Sequence, residues 1–302
     1  MRRDITNNIK RARLLYVLIA FPIIWYITFC YLPMFGIVIA FKDYSLYRGV
    51  AASPWVGFLH FKKFLFDSYF WQVFKNTFLL GFFNTLINFP APIILALLFN
   101  EIRGGTFKKV IQTVSYLPHF VSTVALVNII IIMLSPSTGI INNIIKSVGI
   151  EPVNFIVEKD WFRPIYILMY MWKETGWGTI IYLAAMANID PELYHVADID
   201  GAGRLRRIWN VTLPSIMPTI TILLMLSLPG ILGSDFETVL LLQQPITYET
   251  SDVIGTYVYR RGLIDSQFDF ATAIGLVFSV CSMVIIYISN TFGRKFGGIS
   301  LW

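Results

Sequence analysis

In a chain of 302 residues, 56% are hydrophobic and only 14% are charged, where soluble domains carry about 25% charged residues. That balance excludes an ordinary soluble domain and points to a membrane protein. The formal net charge of +6 does not imply a nucleic-acid partner, because the basic residues are scattered among apolar runs instead of lining one face or tail.

A bilayer core of about 30 Å needs about 20 mainly apolar residues per helix. Six runs meet that length, at 14–41, 74–99, 110–134, 164–187, 214–242 and 270–292. The expected fold is all-α and polytopic, with six transmembrane helices over 14–293, an N-terminal segment 1–13 and a tail 294–302. Arg2, Arg3, Lys10, Arg11 and Arg13 precede the first run as they would in a signal peptide. The run is too long for a signal core and has no clear small-residue cleavage site, so it reads as a retained span.

Six spans place both termini on one side. With the N-terminus inside, the inner segments collect most of the lysines and arginines, and the compact EIRGGTFKK connection at 101–109 weighs most because the rule counts short loops near span ends. Both termini and the 190–213 connection are then cytoplasmic. The longer connections 43–73, 135–163 and 243–269 face outward. Cys30 and Cys281 fall inside apolar runs and receive no role.

Polar groups inside spans are costly in hydrocarbon and normally face the bundle or a wet cavity. In the second span Thr77, Gly81, Asn84, Thr85 and Asn88 follow helical spacing, and Pro90 with Pro92 predicts a bend beyond them. Packing against neighbouring helices is the favoured reading of that face, with the substrate pathway as the other. In the fourth span Lys173 and Glu174 are adjacent and so cannot face each other, whereas Tyr170, Glu174, Trp177 and Gly178 share a face. A carboxylate accepts hydrogen bonds from sugar hydroxyls and aromatic rings pack on the apolar faces of sugars. Lining a cavity and pairing with another span are both open for this group.

The next connection, DPELYHVADIDGAGRLRRIWNVTLPSI at 190–216, holds seven charged residues and the glycines 201 and 203. Asp190 as cap, Pro191 at the first helical position and Glu192 in the first turn predict a short helix. Leu193, Ala197 and Gly201 recur at four-residue spacing along it. Gly201 and Gly203 are expected to turn the chain, and a second amphipathic piece from Arg204 to end near Pro214. By these features alone the element could equally rest on membrane lipid, with its arginines and Trp209 at the headgroups.

In the fifth span Asp235 and Glu237 follow Pro229, Gly230 and Gly233, where a helix could break; they could line a cavity or cap and pair locally. Thr272, Gly275, Ser279 and Ser282 in the sixth span form a small-residue packing face. No Gly-Lys dipeptide occurs, which removes the phosphate-binding loop G-x-x-x-x-G-K-[ST]. His60, His119 and His195 are far apart and sit in no metal or nucleophile motif, so neither a metal site nor a catalytic set is expected.

The segment HVADIDGAGRLRRIWNVTLPSI resembles the cytoplasmic signature of permease subunits of ATP-binding-cassette importers, which runs Glu-Ala-Ala, three residues, Gly, then a distal Leu-Pro. Ala197, Asp200, Gly201, Ala202, Leu213 and Pro214 fall on that pattern, while His195 and Val196 replace the usual glutamate and first alanine. The resemblance covers nearly the whole chain. SPWVGFLHFKKF, FKNTFLLGFFNTLINFPAPIILALLFNEI, QTVSYLPHF, WKETGWGTIIYLAA, GTYVYRRGL and GISLW are similar to the complex-carbohydrate branch of sugar permeases, which takes up oligosaccharides and polysaccharide fragments, including uronate-containing ones.

The resemblance implies a type I importer permease fold in a bacterial plasma membrane. It also implies a second permease subunit, two cytoplasmic ATPase subunits that hold ATP and Mg, and an extracellular solute-binding protein. No cofactor is expected in this chain. Its signature helix, with Leu193, would dock in a cleft of the ATPase. Two rivals are weighed beside it: an ion-coupled secondary transporter using Lys173, Glu174, Asp235 or Glu237 as a relay, and a non-transporting membrane scaffold.

Overall fold

The first apolar run becomes helix α1, Leu14–Phe41. A π turn at Ile27–Tyr31 precedes Pro33 within it. A proline ring collides with the carbonyl four residues earlier, here Phe29, and the wider turn relieves that clash without ending the helix. This computed structural model describes residues 13–102, 104–233 and 235–297. The basic residues Arg2, Arg3, Lys10 and Arg11, Arg103 of the EIRGGTFKK connection, and the closing GISLW lie outside them.

The regular secondary structure among the described residues is helical, apart from one isolated antiparallel bridge between Lys42 and Trp55. They divide into two compact units, one built on the segment up to Phe66 with Arg260–Val277, the other on Asp67–Tyr259. In the first unit, the short helix α2, Leu59–Leu65, buries His60. The His60 imidazole lies 3.0 Å from the Lys42 carbonyl and 3.4 Å from the Asp269 carboxylate, which also accepts the Tyr44 amide at 3.1 Å.

The second unit opens with α3, Ser68–Asn88, capped by Asp67 through the Tyr69 amide at 2.9 Å. α4, Pro90–Glu101, follows, and the two form one run of 34 residues despite Pro90 and Pro92. Then come α5, Thr106–Tyr116, extended by a 3-10 turn Leu117–Phe120, and α6, Thr123–Met133. The expected third span, 110–134, is therefore not straight. α5 and α6 meet at 99°, because Pro118 tightens the chain into the 3-10 turn, Val121 is extended, and Ser122 caps the new helix.

After α7, Ile140–Ser147, comes α8, Phe162–Ala187, a continuous helix of 26 residues matching the fourth expected span. α9, Pro191–Ile199, is the predicted short helix. α10 runs unbroken from Arg204 to Ile231, which corrects two expectations. The second piece does not stop near Pro214, because a π turn at Ile208–Thr212 surrounds Asn210, whose carbonyl faces the proline ring. The fifth span does not reach 242, because Pro229 and Gly230 draw the helix into a final 3-10 turn. α11, Phe236–Leu242, is a separate element, followed by α12, Ile254–Tyr259, and α13, Phe268–Gly297.

Among the described residues four helical runs are long and apolar enough to cross a membrane, α1, α3–α4, α10 and α13, or five if the bent α5–α6 pair forms one span. α8 misses that composition because Lys173, Glu174 and their polar neighbours dilute its apolar residues, although 26 residues rise about 39 Å. Its upper half packs Phe162, Ile165, Tyr166 and Met169 against Leu80, Leu126, Val239 and Val253. Its lower half packs Tyr182 and Met186 against Ala96 and Ile216.

A polar knot fastens α3 to the segment before α12. Asp252, fully buried, accepts from Tyr69 Oη at 2.5 Å and Thr256 Oγ1 at 2.8 Å, and Asn76 Nδ2 donates to the Glu249 and Asp252 carbonyls. Beside it, Glu249 accepts a hydrogen bond from Lys159 at 3.0 Å and raises that ammonium above the ordinary lysine value. Asp252→Ala strips the half-buried Tyr69 and the buried Thr256 hydroxyls of this acceptor and is expected to cost about 3 kcal/mol. A clear drop in the melting temperature of the detergent-solubilised protein checks this; an unchanged value contradicts it.

Candidate functional site

Within the second unit, α3, α4, α8 and α10 surround a cavity of ≈ 590 Å³. The residues singled out in the sequence that line it include Asn84, Asn88, Tyr170, Glu174, Trp177 and Asp235. Close backbone approaches shape the cavity. Gly81 lies where a Cβ would sit 2.2 Å from the Ile231 carbonyl oxygen, and at Gly178 it would meet the Pro92 ring at 2.9 Å. Asn88 Nδ2 donates to Asn84 Oδ1 within α3 at 2.7 Å and to the Ile167 carbonyl of α8 at 3.3 Å, so Asn88 ties the two helices while both amides border the cavity.

Two of the three charged residues of α8, Lys173 and Glu174, find partners at the α5–α6 corner. Lys173 Nζ donates to Thr123 Oγ1 at 3.2 Å and does not line the cavity. Glu174 Oε2 lies 2.9 Å from His119 Nδ1; since an ionised carboxylate only accepts, Nδ1 is the donor. Glu174 thus meets the α5–α6 corner and borders the cavity at the same time. The corner reaches α8 because Gly176 has no side chain: a Cβ there would lie 1.8 Å from the Ser115 carbonyl oxygen.

Asp235 and Glu237 part company. Asp235 borders the cavity, donates its amide to Tyr166 Oη at 3.1 Å and accepts the Thr238 hydroxyl at the start of α11. Glu237, in the first turn of α11, is exposed and is not brought into the cavity, because the break after Ile231 turns α11 into a separate helix.

The 190–213 connection has the expected capping. Asp190 accepts the Glu192 amide at 2.9 Å, with Pro191 in the first turn. At the other end Gly201 adopts φ +70°. The Ala202 amide bonds the Ala197 carbonyl at 2.9 Å and the Gly201 amide bonds the Asp198 carbonyl at 3.1 Å, the paired closure that a left-handed residue permits. Gly203 is ordinary extended backbone at φ −69°, so only Gly201 needs to be glycine for conformational reasons.

Nearly all of α9 is exposed, including Leu193, Val196 and Ile199, the last at 87%. His195 and Asp200 are exposed as well, and Ala197 is half-buried. Between α9 and the base of α10 lies a groove of ≈ 560 Å³ that Leu193, Val196, Ala197, Asp200, Ala202 and Pro214 help to line. Leu213 turns the other way, into the cluster around Ile216 and Tyr182, and is a packing residue. Two contacts brace α9 on α10: Arg207 donates to Asp198 at 2.7 Å, and the Tyr194 and Thr212 hydroxyls meet at 3.0 Å. The motifs assign no role to Ile199, His119 or these braces. Helical spacing from Val196 could have indicated Ile199; the others need the fold.

The profile of the family described as "Binding-protein-dependent transport system inner membrane component" matches residues 88–296, the stretch that carries most of the cavity lining and the exposed helix. The chain belongs to that family. It is similar to Protein LplB of Bacillus subtilis (strain 168), at 43% identity over 288 residues, 95% of this chain and 91% of that one. The polygalacturonan/rhamnogalacturonan transport system permease protein YteP of the same organism is 42% identical over 296 residues, covering 98% and 92%. A solved bacterial alginate ABC transporter in complex with an alginate pentasaccharide-bound periplasmic protein has a chain matching at TM-score 0.90 and 42% identity, over 98% of this chain and 99% of that one. As a member of this family the chain is a membrane permease subunit and not an enzyme. The ion-coupled carrier and the scaffold are set aside.

Proposed function

We propose that this chain is one of two permease subunits of an ATP-driven importer of oligosaccharides, with uronate-containing fragments as the sugar class its relatives point to. The observation that carries this reading is the cavity, where Trp177 and Tyr170 offer rings and Glu174, Asp235, Asn84 and Asn88 offer hydrogen-bonding groups. Rings that pack on sugar faces beside acceptors for hydroxyls suit a carbohydrate. Its described lining contains no lysine or arginine, so this half of the pathway reads hydroxyls, and charges on an acidic sugar are balanced elsewhere in the assembly.

The exposed helix α9 is the coupling element. Its apolar side chains enter the cleft of a cytoplasmic ATPase that holds ATP and Mg, and ATP-driven closure of two such subunits moves α9 and biases the helix bundle between outward and inward arrangements. The solute-binding protein delivers sugar to the outer face. α8, polar on its cavity side, serves as the sixth span. The domain limits are then 1–13, 14–293 and 294–302, with both termini and 190–213 cytoplasmic.

Reconstituting the chain with its co-purified partners and measuring uptake of short oligogalacturonides or oligoalginates tests this. Glu174→Ala is expected to lower uptake efficiency about tenfold and Trp177→Ala by about ten- to a hundredfold. Wild-type uptake in both variants rejects the sugar-contact role of this cavity.

A further inference from the structure

The sequence suggests no site role for His119, yet it touches two of the residues through which α8 meets the cavity. Its ring lies parallel to the Trp177 indole, 2° apart in plane with centroids at 4.5 Å, while Nδ1 sits 2.9 Å from Glu174 Oε2. Phe120 meets the same indole edge-on at 5.4 Å and 84°. One short corner therefore fixes two adjacent side chains of α8, one turn apart, by different interactions. The corner itself is held: Ser122 caps α6, Thr123 takes the Lys173 ammonium, and Gly176 admits the Ser115 backbone.

A carboxylate has two oxygens and about four lone-pair positions. His119 occupies part of one oxygen and leaves the rest for sugar hydroxyls. Its imidazole also covers part of the indole, and Trp177 remains 41% exposed and lines the cavity. Without His119 the indole and the carboxylate could each turn about their own side-chain bonds, and the geometry between them would be lost.

We propose that His119 is a positioning residue for sugar passage, making Glu174 and Trp177 a single subsite that takes one sugar ring by stacking and hydroxyl binding together. This rests on the reading that those two residues contact sugar. Because His119 acts on substrate binding through its neighbours, its loss should appear in KM. A residue that only packs the corner would affect assembly instead.

The test uses the assembled complex purified with its native partners, reconstituted in vesicles, with short oligogalacturonides and oligoalginates as probes, and His119→Ala, His119→Gln and His119→Phe beside Glu174→Ala and Trp177→Ala. Yield of intact complex serves as the folding control. His119→Ala is expected to raise the KM for uptake about tenfold with kcat within about twofold. His119→Phe keeps a ring on Trp177 but has no donor, so its KM should stay high; His119→Gln keeps a donor and should recover part of the loss. Wild-type KM in His119→Phe, or in His119→Ala while the Glu174 and Trp177 variants are impaired, overturns the positioning role and leaves the sugar reading standing. No effect in any of the five variants, or no wild-type uptake of either probe, overturns both. If His119→Ala does not assemble, the Phe and Gln variants decide by the same criteria.

Discussion

Val196→Asp with Ile199→Asp should abolish sugar uptake while leaving the chain inserted in the membrane. These side chains are exposed on a short helix that opens a connection otherwise rich in charge. An apolar patch on a well-capped element has a purpose when another protein covers it. Two carboxylates carried into that interface would each lose hydration with no partner, and removal of uptake by more than about a hundredfold is a reasonable expectation for disrupted anchor residues. The measurements are uptake in vesicles, the amount of ATPase that co-purifies, and the amount of this chain in the membrane fraction. Normal uptake with normal ATPase recovery would remove α9 from the coupling role. Gly201→Val is a weaker probe of the same idea, since its φ of +70° makes any branched residue strain the turn before docking is considered.

Gly176→Leu should be the most damaging single change in α8. The added Cβ would lie 1.8 Å from the Ser115 carbonyl oxygen and 2.5 Å from its carbon. Both are backbone atoms of α5, so no rotamer change relieves the clash, and the helices must separate. Separation draws the corner away from Glu174, Trp177 and Lys173, so loss of assembled complex, or uptake lowered more than about a hundredfold, is expected from overpacking of this kind. Gly203→Ala provides the contrast: its backbone is extended and the space around it is open, so assembly and uptake should stay near wild type. Equal behaviour of the two variants, read by size-exclusion profile and uptake, would contradict the close crossing of α5 and α8.

Most of the helical layout was legible because apolar length is a strong signal. The run at 14–41 coincides with α1, and the caps of α9 follow from Asp190, Pro191 and Gly201. What escaped the sequence arose where prolines have two solutions. Pro118 and Pro229 tighten their helices into 3-10 turns beside breaks, whereas Pro33 and Pro214 are absorbed by π turns. Nothing local to a proline says which will occur. The site divided similarly. Tyr170, Glu174 and Trp177 share a helical face, so their common cavity could be read from spacing. His119 lies 55 positions from Glu174, and only the bend at Val121 brings it there.

The unbroken course of α10 has a mechanical consequence. Its base carries the braces to α9, and its far end sets the Ile231 backbone against Gly81 beside the cavity. With 28 residues, α10 is about 42 Å long. As a stiff lever arm pivoting near its base, it would convert a tilt of about 5° into a displacement of about 4 Å at the other end, from the helical rise alone. A hinge at Pro214 would have absorbed that tilt where it began. On the proposed reading, the π turn that carries the helix through the proline would let a small movement at the α9 end arrive, amplified, at the cavity wall.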